Sequence, residues 1–212
     1  MQQTEKAAAV TDAKALAPDI VVVIGAGTGG PLALAAILPK LPKSFPASII
    51  VIQQMRPGFT RLLAQELARS GGLPIAEAED HGELLRGRGL MAPGGHGLTF
   101  TQTKAPEHQF TVNLEDHGDS GAKSRTRIDN AMKCAAEIFG VKAVGVLLTG
   151  AGFDGREGMK AIRAGGGKTL AQNMETSVLY DMPGAAVDAG AVDEILPLWA
   201  IADRLAEIVE NL

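Results

Sequence analysis

The chain has 212 residues, of which 46% are hydrophobic and 21% are charged, and these values predict one globular domain with a sizeable core. The formal net charge is −4 and the chain has no run of lysine or arginine, which argues against a nucleic-acid partner. No apolar stretch is long enough to span a bilayer, and residues 1–18 lack the apolar segment of a secretory signal. We therefore expect a cytoplasmic protein without membrane insertion.

Apolar runs alternate with helical patterns along most of the chain. Residues 1–18 are predicted to form a mobile N-terminal tail and residues 19–212 the folded domain. Because the apolar runs are continuous rather than alternating, they predict a doubly wound, mainly parallel sheet. Helices on both faces would make this an α/β fold with three layers, α/β/α. The expected strands are 20–24, 48–53, 73–78, 141–149, 168–172 and 192–196.

Other segments predict helices and a hairpin. A helical pattern follows the glycine-rich turn over residues 31–41, and another covers residues 156–164. Segments 98–103 and 109–114 alternate between apolar and polar residues on either side of residues 104–108, which predicts an antiparallel hairpin appended to the sheet. Near the end of the chain, one helical face carries Ile201, Leu205, Ile208 and Leu212 and indicates an amphipathic closing helix.

Three loops that follow expected strands are rich in glycine, proline or small and polar residues. They cover residues 25–30, 54–59 and 150–155. In a doubly wound sheet, ligands and catalytic groups gather outside the carboxyl ends of the strands. We therefore expect these three loops to meet and to form the functional site.

The first loop contains Gly25, Gly27 and Gly30, which spell the dinucleotide-binding fingerprint G-x-G-x-x-G. A NAD site also needs a carboxylate about 20 residues later for the ribose hydroxyls. No acidic residue lies between Asp19 and Glu66, so this interpretation is weakened. Dinucleotide binding stays open as an alternative, because an arginine in the second loop could meet the additional phosphate of NADP.

Several segments together resemble another family, the catalytic domain of the CheB protein-glutamate methylesterases of bacterial chemotaxis. Motifs in matching order and spacing extend over nearly all of residues 20–200, which makes the resemblance specific. It implies a doubly wound fold and a Ser-His-Asp esterase that acts on methylated glutamates of chemoreceptors. The matching segments are IGAGTGGP at 24–31, QQMRPGFT at 53–60, APGGH at 92–96, LLTGAGFDG at 147–155, AQ at 171–172 and MPGAAVDAGAVD at 182–193.

The chain departs from the family at two of the three catalytic positions. The family motif I-G-A-S-T-G-G places its serine at Gly27, Q-H-M-P-P-G-F places its histidine at Gln54, and T-G-M-G-x-D-G places its aspartate at Asp154. Glycine has no hydroxyl to attack an ester, and a neutral amide cannot accept and return the serine proton. We therefore expect ester hydrolysis to be lost or greatly weakened, with Asp154 as the retained member.

The resemblance also implies a ligand pocket around these positions. Its expected binding residues are Thr28, Met55, Arg56, Ala151 and Gly152. Arg56 replaces a family proline and Ala151 replaces a family methionine. We expect no cofactor and no metal ion at this site.

The retained aspartate has two further expected contacts. We hypothesise a hydrogen bond between the Gln54 amide and the Asp154 carboxylate in place of the imidazole contact. We also expect Asp154 to cap the helix over residues 156–164. Among other reactive residues, Cys134 is expected to be a core residue, and His96, His108 and His117 are expected to be exposed.

The resulting functional prediction is a CheB-like domain without the receiver domain that precedes the catalytic domain in the best-known members. Its expected partner is a methylated chemoreceptor or a related signalling protein, which it would bind rather than hydrolyse. One alternative is an active methylesterase or glutamine deamidase with an atypical site. The other alternative is the dinucleotide-binding protein.

Overall fold

The computed structural model describes residues 17–103, 110–116 and 127–212. Helices and strands alternate along most of these ranges, and short 3-10 turns follow α1, α3 and β8. No helix within these ranges is both long and apolar enough to cross a bilayer. The elements are β1 Val21–Ala26, α1 Gly30–Ile37, β2 Ser48–Gln53, α2 Phe59–Arg69, β3 Ile75–Glu77, β4 Gly89–Met91, β5 His96–Gln102, β6 Phe110–Asp116, α3 Arg127–Phe139, β7 Ala143–Leu147, α4 Arg156–Ala164, β8 Lys168–Gln172, α5 Asp181–Asp188, β9 Glu194–Leu196 and α6 Leu198–Glu210.

Seven strands form one parallel sheet in the order β3-β4-β2-β1-β7-β8-β9. The central strand β1 pairs with β2 on one side and β7 on the other, so that Val22 lies opposite both Ile49 and Val144. The direction in which the chain adds strands reverses between β1 and β7. Such a reversal opens a crevice at the carboxyl ends of the central strands, where ligands bind in this class of fold.

Two hydrophobic cores cover the two faces of the sheet. Successive side chains of a strand point to opposite faces, so Val22 and Ile24 enter one core while Val21 and Val23 enter the other. Helices α1, α2 and α6 pack on the first face, and α3, α4 and α5 pack on the second. The predicted three-layer, doubly wound architecture is confirmed.

The hairpin of β5 and β6 is antiparallel, as predicted, and forms a two-stranded sheet of its own. It packs on the second face, where Phe100 and Val112 are buried. The Phe100 ring meets the Phe139 ring of α3 edge to face at a centroid distance of 5.8 Å. The expected turn at 104–108 lies outside the described residues.

Several element boundaries agree with the sequence and others do not. Strands 48–53 and 168–172 and helix 156–164 match the prediction residue for residue. Strand β7 begins at Ala143 because residues 140–142 form a 3-10 turn. Strand β4 was not predicted, because three residues are too short to display a period of two.

Both ends of the described chain pack against the folded domain. Residues 1–16 of the expected tail lie outside the described residues, whereas Pro18 is buried. At the other end, Ile201, Leu205 and Ile208 of α6 are buried in the first core, which confirms the amphipathic closing helix. Leu212 lies beyond the end of α6 but still packs against that core.

Candidate functional site at the carboxyl ends of the central strands

Backbone hydrogen bonds join the turns that follow β1, β2 and β7. The Gly27 amide donates to the carbonyl of Thr149 at 2.9 Å, and the Gln54 amide donates to the carbonyl of Ala26 at 2.8 Å. The buried side chain of Gln53 reinforces the arrangement, because its Nε2 donates to the Gly27 carbonyl at 2.9 Å. The three expected loops therefore meet at one edge of the sheet.

The Gln54 side chain lies between the other two catalytic positions. Its Nε2 donates to Oδ2 of Asp154 at 3.1 Å, so the hypothesised amide-to-carboxylate bond is confirmed. Its Oε1 faces Gly27, at 3.2 Å from the position that a Cβ atom on this glycine would take. The amide thus keeps the spatial relationship of a base between nucleophile and aspartate, but it has no titratable nitrogen.

The Asp154 carboxylate is buried. It accepts hydrogen bonds from two backbone amides in addition to the one from the Gln54 side chain. The amides of Ile128 and Asp129 donate to it at 3.1 and 3.0 Å, which places it at the N-terminus of α3. Burial raises the pKa of this carboxyl from 3.8 to about 6, while the amides of Asp129 and Ile128 oppose the rise by stabilising the charged form.

The expected cap of helix 156–164 by Asp154 is wrong. The N-cap of α4 is Gly155, which has a φ of 98° and no capping side chain of its own. Asp129 takes the role instead, because its Oδ1 accepts from the amides of Gly155 at 3.0 Å and Gly158 at 2.7 Å. Asp129 therefore caps the helix that follows Asp154, and Asp154 caps the helix that contains Asp129, a tertiary exchange that sequence distance conceals.

The space above Gly27 is largely filled by protein. A Cβ atom on Gly27 would lie 2.9 Å from the Cα of Gly150, closer than Cβ atoms approach backbone. The Gly150 amide also donates to the Leu179 carbonyl at 3.0 Å, so it is not free to stabilise an oxyanion. A serine at position 27 would require the loop after β7 to move.

The remaining expected binding residues divide into two groups. Met55 and Arg56 line a cavity of about 490 Å³ together with Gln54 and Arg127. Thr28 and Ala151 are exposed, and Gly152 is half-buried with a φ of 86°. Thr28 follows Gly27 in the loop after β1, and Ala151 and Gly152 lie in the loop after β7. None of the three is among the described residues that line the cavity.

Comparison with known proteins decides the family. The family model described as CheB methylesterase matches residues 22–205. The chain belongs to the CheB methylesterase family. It is 38% identical to the Thermotoga maritima CheB methylesterase catalytic domain, with a TM-score of 0.81 over 89% of this chain and 97% of that domain.

Longer relatives of the CheB family give the same result. A protein-glutamate methylesterase/protein-glutamine glutaminase of Carboxydothermus hydrogenoformans is 48% identical over 87% of this chain and 54% of that protein. One from Anaeromyxobacter dehalogenans is 40% identical over 100% of this chain and 60% of that protein. The chain thus spans little more than half the length of these relatives.

Membership of the CheB family accounts for the glycines of the first loop through packing. A Cβ atom on Gly30 would lie 2.0 Å from Oε1 of Gln53, and one on Gly25 would lie 2.5 Å from Cγ2 of Ile128. Both contacts are with protein side chains. The Gln54 side chain likewise occupies part of the space around Gly27. The G-x-G-x-x-G spacing therefore reflects close packing around the CheB-type turn rather than an open surface for a pyrophosphate.

The other reactive side chains make local contacts. His96 is half-buried, with Nδ1 3.2 Å from the Gly94 carbonyl, and His81 is exposed beside Asp80. His108 and His117 lie outside the described residues. The half-buried thiol of Cys134 donates to the Phe100 carbonyl at 3.2 Å, and burial raises its pKa. Within the described ranges, no three His, Cys, Asp or Glu side chains are grouped to hold a metal ion.

Sequence reasoning missed three residues of the site. Asp129 had a visible signal, since an acidic residue in the first turn of the helical pattern at 128–139 favours a capping role. Gln53 had a weaker one, because a glutamine at the end of an apolar strand needs a buried partner. Arg127 had none, because the residues that face its side chain come from another loop.

Proposed function

We propose that this domain binds a methylated chemoreceptor or a related signalling protein and that it has lost, or retains very little of, the ester hydrolysis of its family. One observation carries the proposal: Gly27 has no side chain, and the neutral Gln54 amide is bonded to Asp154 where the family has histidine. Without a hydroxyl at position 27 and a base at position 54, these positions can neither form an acyl-enzyme nor hydrolyse one.

Exposed apolar side chains around the same edge support binding of a protein surface. Leu32, Phe59, Phe153 and Val178 follow β1, β2, β7 and β8 respectively, and all four side chains are more than half exposed. Apolar groups gathered at one edge of a folded domain are typical of a surface that binds another protein. A helix with glutamate or glutamine side chains fits this edge, because an apolar stripe would flank its polar group.

The alternative is an active methylesterase or glutamine deamidase with an atypical site. It is favoured by the names of the relatives and by the joined loops, which keep the geometry of the catalytic positions. Thr28 is the adjacent hydroxyl, but its side chain is exposed and no described histidine contacts it. The proposal of a binding domain therefore stands ahead of this alternative.

Methanol release from a methylated receptor preparation separates the two. We expect turnover lower by a factor on the order of a million than in a family member that carries the serine and histidine, as found when triads lose these groups. Turnover within about a hundredfold of that member would contradict the proposal.

A reconstructed triad provides the matched control. Gly27→Ser combined with Gln54→His is expected to raise methanol release steeply, whereas neither substitution alone should do so, because a triad acts as a unit. The melting temperature of each variant shows whether the loop at Gly150 accommodates the new side chain. Activity of the Gly27→Ser variant alone would show that another group serves as the base.

A further inference from the structure

Two arginines line the cavity beside Gln54. Among the described residues of its lining, Gln54, Met55 and Arg56 follow β2, and Arg127 begins α3. The cavity volume of about 490 Å³ is large enough for the end of a side chain from another protein. Arg56 and Arg127 carry guanidinium groups, which stay charged at every accessible pH.

Arg127 is the decisive residue. It is only 8% exposed, yet its side chain forms no hydrogen bond or ion pair with any other described residue. Its guanidinium nitrogens are not fully enclosed, so the group reaches the open space of the cavity, where its donors are available to a ligand. Asp154 does not pair with it, because the carboxylate is bonded to Gln54 and to the N-terminus of α3.

A second cavity of about 490 Å³ provides a contrast. It lies at the opposite edge of the sheet, beside Lys168 at the start of β8, and also contains basic residues. There the arginine and one of the two lysines have partners: Nε of Arg163 is 2.9 Å from Asp193, and Nζ of Lys160 is 3.2 Å from Glu157. Of these two cavities, the one beside Gln54 is the one whose guanidinium groups pair with no described residue.

Arg56 gives the cavity its second positive charge. It is exposed and stands where the family motif has proline, so this guanidinium distinguishes the chain from that motif. Its side chain also has no ion pair with a described residue, which leaves its donors available. Two guanidinium groups that pair with no described residue thus line the same cavity.

We propose that this cavity binds the free side-chain carboxylate of a glutamate on the partner protein, with Arg127 and Arg56 as the groups that pair with it. This inference rests on the proposed binding of a chemoreceptor or related signalling protein, and it replaces the methylated state of that partner by the unmethylated one. A methyl ester or a glutamine amide is neutral and leaves the guanidinium groups unpaired. Charge-assisted hydrogen bonds are about twice as strong as neutral ones, so the carboxylate is preferred.

The preference is consistent with the loss of hydrolysis. The carboxylate is what remains after a glutamyl methyl ester has been hydrolysed, and an enzyme that paired it with two arginines would release its product slowly. A binding domain has no such penalty. The domain would instead recognise receptors in the demethylated state.

The test uses three synthetic helical peptides that differ at one position, which carries glutamate, glutamate γ-methyl ester or glutamine. Binding is measured by fluorescence anisotropy. We expect the glutamate peptide to bind about tenfold more tightly or better than the other two. Arg127→Gln and Arg56→Gln should each remove most of this preference.

Arg69→Gln is the matched control, because it removes the same charge at the end of α2, away from the cavity. It should keep the preference. The exposed Arg56 provides a variant that does not disturb the core if Arg127→Gln lowers stability. Equal binding of the three peptides would overturn the inference and leave the proposed function standing.

Failure of all three peptides would count against the proposed function and calls for a small probe. N-acetylglutamate amide and its γ-methyl ester are then titrated while the arginine Nε–Hε resonances are followed by NMR. Shifts with the acid alone that disappear in Arg127→Gln would support the carboxylate site. Absence of shifts with the acid would overturn it.

Discussion

The side-chain amide of Gln54 has nearly the reach of an imidazole, and this explains how the site keeps its geometry without its chemistry. Its nitrogen donates to Asp154, and its oxygen faces Gly27. The amide itself does not titrate, and its contact with Asp154 joins the loops after β2 and β7. The arrangement therefore supports a fixed binding surface rather than proton transfer.

Asp154 makes the stability of the domain depend on pH. Its pKa is raised from 3.8 to about 6 in the folded protein, so the folded state binds the proton more tightly than the unfolded state. The stabilisation is present at low pH and is lost as the pH rises through about 6. Relative to Asp154→Asn, we expect the free energy of unfolding to fall by up to about 3 kcal/mol between about pH 4 and 7.

Urea unfolding of both proteins at several pH values measures this difference. Carboxylates elsewhere, such as Asp193 with its lowered pKa, contribute equally to both proteins and cancel in the comparison. The asparagine also loses an acceptor for the backbone amides, but that loss is independent of pH. A difference in stability that stays constant across the range would contradict the raised pKa.

Helices α3 and α4 are joined by the exchange of their capping aspartates. Asp129 lies in the first turn of α3 and satisfies amides at the start of α4, whereas Asp154 precedes α4 and satisfies amides of α3. Buried amides at a helix N-terminus have no other partner within the helix. The exchange therefore fixes the distance between the two helices and, with it, the position of Arg127 at the cavity.

Asp129→Ala should destabilise the domain through α4. It leaves the amides of Gly155 and Gly158 without acceptors, and we expect a loss of about 2 kcal/mol in the free energy of unfolding. Asp129→Asn keeps one oxygen and should cost less. Asp203→Ala, at an exposed position on α6, is the control and should change stability by less than about 0.5 kcal/mol. Equal losses for Asp129→Ala and the control would refute the capping role.

The packing of the whole domain bears on the dinucleotide alternative. The tight turn after β1 lies between the loops that follow β2 and β7, and its glycines contact protein side chains. We expect NAD or NADP at about 1 mM to shift the melting temperature by less than about 1 °C, because a ligand without a site gives no stabilisation. A Rossmann dehydrogenase serves as the positive control, and a shift of several degrees would restore the alternative.

Much of the fold was predictable because it rests on local patterns. Continuous apolar runs such as Ser48–Gln53 indicate strands buried on both faces, and their alternation with helices indicates a parallel sheet. The strand β4 was not predictable, since its three residues are strand-like only through pairing with β2 and β3. The motifs predicted that Gly27, Gln54 and Asp154 occupy the catalytic positions of the family. The hydrogen bond between Gln54 and Asp154 was expected from those positions.

The amino-acid sequence determined the chemistry that is missing, because the absence of a hydroxyl at Gly27 and of a titratable nitrogen at Gln54 does not depend on folding. It also determined the layered architecture through the period of its apolar residues. Only the tertiary structure decided which helix Asp154 caps, how closely Gly150 approaches Gly27, and that Arg127 lines the cavity without an ion pair to any described residue. These properties depend on distances between segments far apart in the chain, and such distances are set by the packing of both cores.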